Sequence, residues 1–83
     1  MNEGRDDINK TRRKQLDEVI SKINAVEDEL ESILSDEEEY RDNIPENLQG
    51  SERYEMADNA CSEMQNALNS LDEAVSSIEE VRQ

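Results

Sequence analysis

The chain has 83 residues, with 23 acids against 9 bases, no histidine and a net charge of −14. A chain of that length supports at most one thin domain, and so small a core commonly needs a staple or a partner. Cys61 is the only cysteine, so no disulfide forms within the chain; without histidine, no soft zinc ligand set is completed either.

The acidic balance also argues against binding nucleic acid, where phosphate contacts dominate affinity. Tyr40 and Tyr54 are the only aromatics, which leaves little for base stacking. No apolar run reaches membrane-spanning length, and the N-terminus lacks the apolar block of a secretory signal. A lone thiol fits a reducing, intracellular setting. High charge and low hydrophobicity would suit disorder, but the order of the apolar residues argues for helix.

Residues 1–7 read as a flexible N-terminus, and a first helix is predicted over about 8–42. With Leu16 at heptad position a, the following a and d positions are Val19, Ile23, Val26, Leu30, Ile33, Glu37 and Tyr40. Ile20 and Leu34 widen that stripe at position e, and only Glu37 interrupts it. Late in this helix stands the run Asp36-Glu37-Glu38-Glu39. The C-terminal end of a helix carries partial negative charge, so carboxylates there are disfavoured and need another reason to be present.

A turn is predicted over 43–50. Pro45 disfavours helical geometry at Ile44 and removes a donor, so the first helix should stop near Asp42. Asn43 is expected to cap a short turn from Pro45, with Glu46 in capping-box spacing. Gly50 is expected to ease the chain reversal, Ile44 and Leu48 to plug that end, and Ser51 to cap the second helix.

The second helix is predicted over about 51–82. Its stripe runs Tyr54, Ala57, Cys61, Met64, Leu68, Leu71, Val75 and Ile78, with Ala60, Ala67, Ala74 and Val81 at position g. Setting Tyr40 against Tyr54 pairs Ile33 with Cys61, Leu30 with Met64, Val26 with Leu68 and Leu16 with Ile78, all apolar. The fold class is therefore all-α, a single antiparallel αα-hairpin. One partner helix cannot cover a three-position stripe, so dimerisation into a four-helix bundle is expected. Ile20, Leu34, Ala60, Ala67 and Ala74 are the expected oligomer seam.

Charge is divided unevenly. Residues 1–22 hold six bases and five acids, and residues 23–83 hold three bases and 18 acids. The basic run Lys10-Thr11-Arg12-Arg13-Lys14 has a structural explanation: the register sets Lys14 against Glu80 at the acidic end of the second helix. Anion binding across an oligomer is the alternative, with Arg12, Arg13 and Lys14 of several subunits gathering a phosphorylated small molecule. At the turn end the acids outnumber the bases. Asp36, Glu38, Glu39, Asp42, Glu46, Glu52 and Glu55 are the candidate contacts for a basic protein surface, against the simpler reading of a solvated face.

No metal or cofactor is expected. The EF-hand spacing is absent, and a bundle di-iron site needs histidines that the chain lacks. No base is arranged to activate a Ser, Cys or Tyr, so no catalysis is expected.

The stretch Glu38-Glu39-Tyr40-Arg41-Asp42-Asn43-Ile44-Pro45-Glu46-Asn47-Leu48-Gln49-Gly50-Ser51-Glu52-Arg53-Tyr54 resembles a turn of small, acidic, helical proteins of bacterial phages and prophages. The match lies in Asn-x-Pro-Glu-Asn-Leu-Gln-x-Ser-Glu, at Asn43, Pro45 through Gln49, Ser51 and Glu52. The resemblance implies a phage or mobile-element origin and a bacterial cytoplasm, and it carries over no catalytic or ligand residue. With the charge, it leads to an expectation: a non-enzymatic protein that binds and inhibits a host macromolecule, as a mimic of DNA against a defence or nucleic-acid enzyme. A structural or adaptor oligomer is the alternative.

Overall fold

The computed structural model describes the backbone of residues 2–82 and the side chains of residues 9–82. Helix α1 runs Asn2–Asp42, a 3-10 turn spans Glu46–Leu48, and helix α2 runs Glu52–Val81. The two helices pack antiparallel into a rod 70 × 15 × 13 Å in extent. α1 starts ahead of the expected residue 8. The flexible segment expected over 1–7 lies outside the residues whose side chains are described.

The turn forms largely as its residues dictate. α1 stops at Asp42 with the Asn43 amide donating to the Glu39 carbonyl at 3.0 Å. The Leu48 amide then donates to the Pro45 carbonyl at 2.8 Å, closing the 3-10 turn. Ser51 caps α2, its Oγ accepting from the Tyr54 amide at 3.3 Å. Ile44 is buried and plugs the end of the hairpin, whereas Leu48 stays exposed. Two expectations fail. The short turn takes no side-chain cap, so Asn43 does not serve as one. Gly50 has no positive φ, so the reversal does not depend on glycine there.

The larger correction concerns which side of α1 faces α2. The core is Leu34, Cys61 and Leu68, with Leu30 and Met64 packed against it. α2 presents its a and d positions, as expected. α1 instead presents a and e: Leu34 is 7 % exposed, while Val19, Val26, Ile33 and Tyr40 at position d are 41, 48, 56 and 48 % exposed. Leu34, expected at an oligomer seam, is instead buried at the centre of the hairpin against α2, and Ile20 is half-buried on the same side.

The register moves with that rotation. Setting Tyr40 against Tyr54 would place Asp17, Glu27 and Arg41 opposite Ser77, Ala67 and Arg53. Each meets instead the residue five further along α2, namely Arg82, Asp72 and Asp58. The physical reason is angular. A helix covers only a ~100° arc of its neighbour, and the a, d and e positions of α1 together span more. Burying the edge that carries Leu34 lets Arg41 reach Asp58, with Nη1 to Oδ1 at 3.0 Å. The edge of Val, Ile and Tyr is left outside.

Candidate partner-binding surfaces

With α1 rotated, the rod has two broad faces of opposite chemistry. On one, Val19, Val26, Ile33 and Tyr40 of α1 recur every seventh residue beside Ala60, Ala67, Ala74 and Val81 of α2. Ala67, Ala74 and Val81 are exposed, Val81 to 73 %. Ala60 is half-buried, and Met56 adds an apolar side chain 64 % exposed. The two rows are neighbours: a shallow groove near the turn is lined by Glu37, Tyr40, Arg53, Met56 and Ala60 together. Monomers seldom leave so long an apolar strip to water.

The opposite face is acidic. Glu27, Glu31, Glu38 and Asp72 line one groove with Ser35 and Gln65, and no base is among its lining residues. Glu27 of α1 and Asp72 of α2 lie side by side across the seam. A hydrogen bond with the Asp72 carboxyl pushes Glu27 up to about 7; partial desolvation and repulsion by Asp72, Glu31 and Asp28 add to it. A carboxyl beside a second carboxylate holds its proton to higher pH than one standing alone. This pair was missed in the sequence. Its signal is an acid at position e of each helix, which becomes a contact only when α1 uses its e edge.

The seven expected contact acids all lie at the turn end, but not on one face. Glu38 belongs to the acidic groove, whereas Glu52 borders the apolar-face groove. Asp36, Glu39, Asp42, Glu46, Glu52 and Glu55 are exposed and Glu38 is half-buried. Only Asp42 is neutralised, by Arg41 Nε at 3.0 Å. Among the described residues the other six make no ion pair.

At the open end the expected pairing of Lys14 with Glu80 is not formed. Arg82 pairs with Asp17 instead. Lys10, Arg12, Arg13 and Lys14 are exposed and, among the described residues, enter no ion pair. The reason is the register shift, which carries Glu80 away from Lys14. The open end thus mixes exposed bases with the exposed acids Glu79 and Glu80, whereas acids outnumber bases at the turn end.

Cys61 is 5 % exposed at the centre of the core, and burial pushes its thiol up, which suits a small buried hydrophobe rather than a nucleophile. Among the described residues no His, Cys, Asp and Glu side chains are grouped to hold a metal ion. Among the described residues no helix is long and apolar enough to cross a membrane. No family model, curated protein or solved structure matches the chain.

Proposed function

We propose that this chain is a non-enzymatic, phage-type acidic protein that binds a basic surface of a bacterial host macromolecule and blocks it. The observation that carries this reading is the turn end, where Asp36, Glu38, Glu39, Glu46, Glu52 and Glu55 have no basic partner among the described residues. Carboxylates held on a rigid helical end present negative charge at set spacing, as phosphates do. A cationic DNA-binding groove is the complementary surface, and the opposed fields accelerate encounter. The site of action is the bacterial cytoplasm, and the target class is a defence or nucleic-acid enzyme.

Capture of host proteins on the immobilised chain, eluted by a salt gradient, tests this. A basic nucleic-acid enzyme should elute as salt rises. The triple variant Asp36→Asn, Glu38→Gln, Glu39→Gln should lose it, and DNA should compete for it. Unchanged retention at high salt, or in the triple variant, would count against the reading.

A second reading, a helical oligomer, is favoured by a different observation: the exposed row Val19, Val26, Ile33 and Tyr40. The two readings are compatible. A homodimer that closes the apolar faces into a four-helix bundle leaves both acidic grooves outside, and it supplies the core that one thin hairpin lacks.

A further inference from the structure

We infer that the apolar face docks on a second copy of this chain in one orientation, turn end against open end, with α1 lying antiparallel on the partner's α1. This rests on the self-association proposed above and adds its geometry. Two faces related by a two-fold axis can stack in two ways. An axis along the helices puts both turns at the same end and sets α1 over the partner's α2. An axis across the helices reverses one rod and sets like helix on like helix.

Three features of the chain select the second. The first is charge. Reversal brings Lys10, Arg12, Arg13 and Lys14, which enter no ion pair among the described residues, level with the partner's acidic turn, whereas the other arrangement gathers the acids of both turns at one end. The second is the match of side chains. Opposing Tyr40 to the partner's Val19 also opposes Ile33 to the partner's Val26, so that every exposed d position of α1 is used. The same axis brings Ala67 to the partner's Ala74, and Ala60 to the partner's Val81, within about one residue.

The third is length. Arg82, at the end of α2, pairs with Asp17, so α1 projects about 15 residues, ~23 Å, past the end of its own hairpin partner. In the reversed dimer the partner's turn covers the inner part of that projection: Arg12 and Arg13 come level with the partner's Asn47 and Glu46, and Lys22 comes beside the partner's Asp36 and Glu37. The shared length of ~45 Å across a face 15 Å wide offers roughly 700 Å² per copy, close to the ~800 Å² of stable standard interfaces.

Light scattering after gel filtration gives the oligomeric state, and a dimer is expected; a monomer at high micromolar concentration overturns the self-association itself. Orientation is read separately, from a nitroxide on Asn47→Cys in a Cys61→Ala background. The reversed dimer predicts a label-to-label distance of about 45–55 Å, and the alternative predicts less than about 25 Å. A short distance in a confirmed dimer overturns the orientation and leaves the self-association standing.

Because Cys61 is buried, a charge exchange provides a test that leaves the core intact. Lys22→Glu and Glu37→Lys should each weaken the dimer by about threefold to tenfold at low salt. The two together should restore it. Failure of the double variant to recover affinity overturns the proposed register.

Discussion

The two broad faces of the hairpin are built from adjacent residues of the same helix, and their contrast shows how little separates core from surface here. Leu34 is 7 % exposed and Ile33 is 56 % exposed. Both are large, aliphatic and central in α1, and each belongs to an apolar row. What distinguishes them is ~100° of rotation about the helix axis. One face is closed by α2. The other has the composition of a core and no cover within the chain, while the acidic groove on the far side is suited only to water or a cationic partner.

The sharpest way to break that contrast is to truncate each neighbour in turn. Leu34→Ala should cost about 2–5 kcal/mol, since it leaves a cavity against Cys61 and Leu68. Ile33→Ala, measured at concentrations where the chain is monomeric, should cost well under about 1 kcal/mol. Equal losses in urea titrations would mean that α1 is turned differently about its axis.

The next largest effect is on association. Ala67→Glu puts a charge in the middle of the apolar face, so the oligomer should dissociate with little loss of helicity by circular dichroism. Unfolding in step with dissociation would instead make the second copy a condition of the fold.

On the acidic face the expected effect is smaller and depends on pH. Glu27 is raised from 4.5 when unfolded to about 7 when folded, so the native state binds the extra proton between those values. Stability from this pair is therefore fully present below about pH 4.5 and is lost as pH rises through about 7. Glu27→Gln should raise Tm at pH 8 and leave it unchanged at pH 4. A gain that is the same at both pH values would contradict the contact with Asp72.

The smallest effect belongs to Arg41, which joins the faces at the turn end through Asp42 and Asp58. Both acids are half or more exposed, so Arg41→Ala should cost no more than about 1 kcal/mol per pair. A larger loss in thermal melts would show that this bridge, rather than Leu34, sets the rotation of α1.

Much of the hairpin was legible from local chemistry. Pro45 and Asp42 place the end of α1, and Ser51 places the start of α2, because backbone donors at helix ends need partners whatever lies around them. Ile44 reads as a plug and is one. The candidate acids were legible as exposed charge, but their division between two faces was not. That division follows from the a and e edge of α1, which moves Glu38 to one groove and leaves Glu52 beside the other. The Glu27–Asp72 contact, and the absence of a Lys14–Glu80 pair, arise in the same way, from a register five residues away from the one that pairs Tyr40 with Tyr54.

The sequence by itself determined two long helices, where the first ends and the second begins, and the angular position of every apolar side chain on them. These follow from the 3.6-residue period and from capping, which are properties of neighbours along the chain. Only the tertiary structure decided which edge of the three-position stripe on α1 is buried. Either edge supplies apolar side chains, so the choice falls to contacts between residues distant in sequence: Leu34 against Cys61 and Leu68, and Arg41 against Asp58. That choice exposes Val19, Val26, Ile33 and Tyr40, and with them the surface on which the proposed association depends.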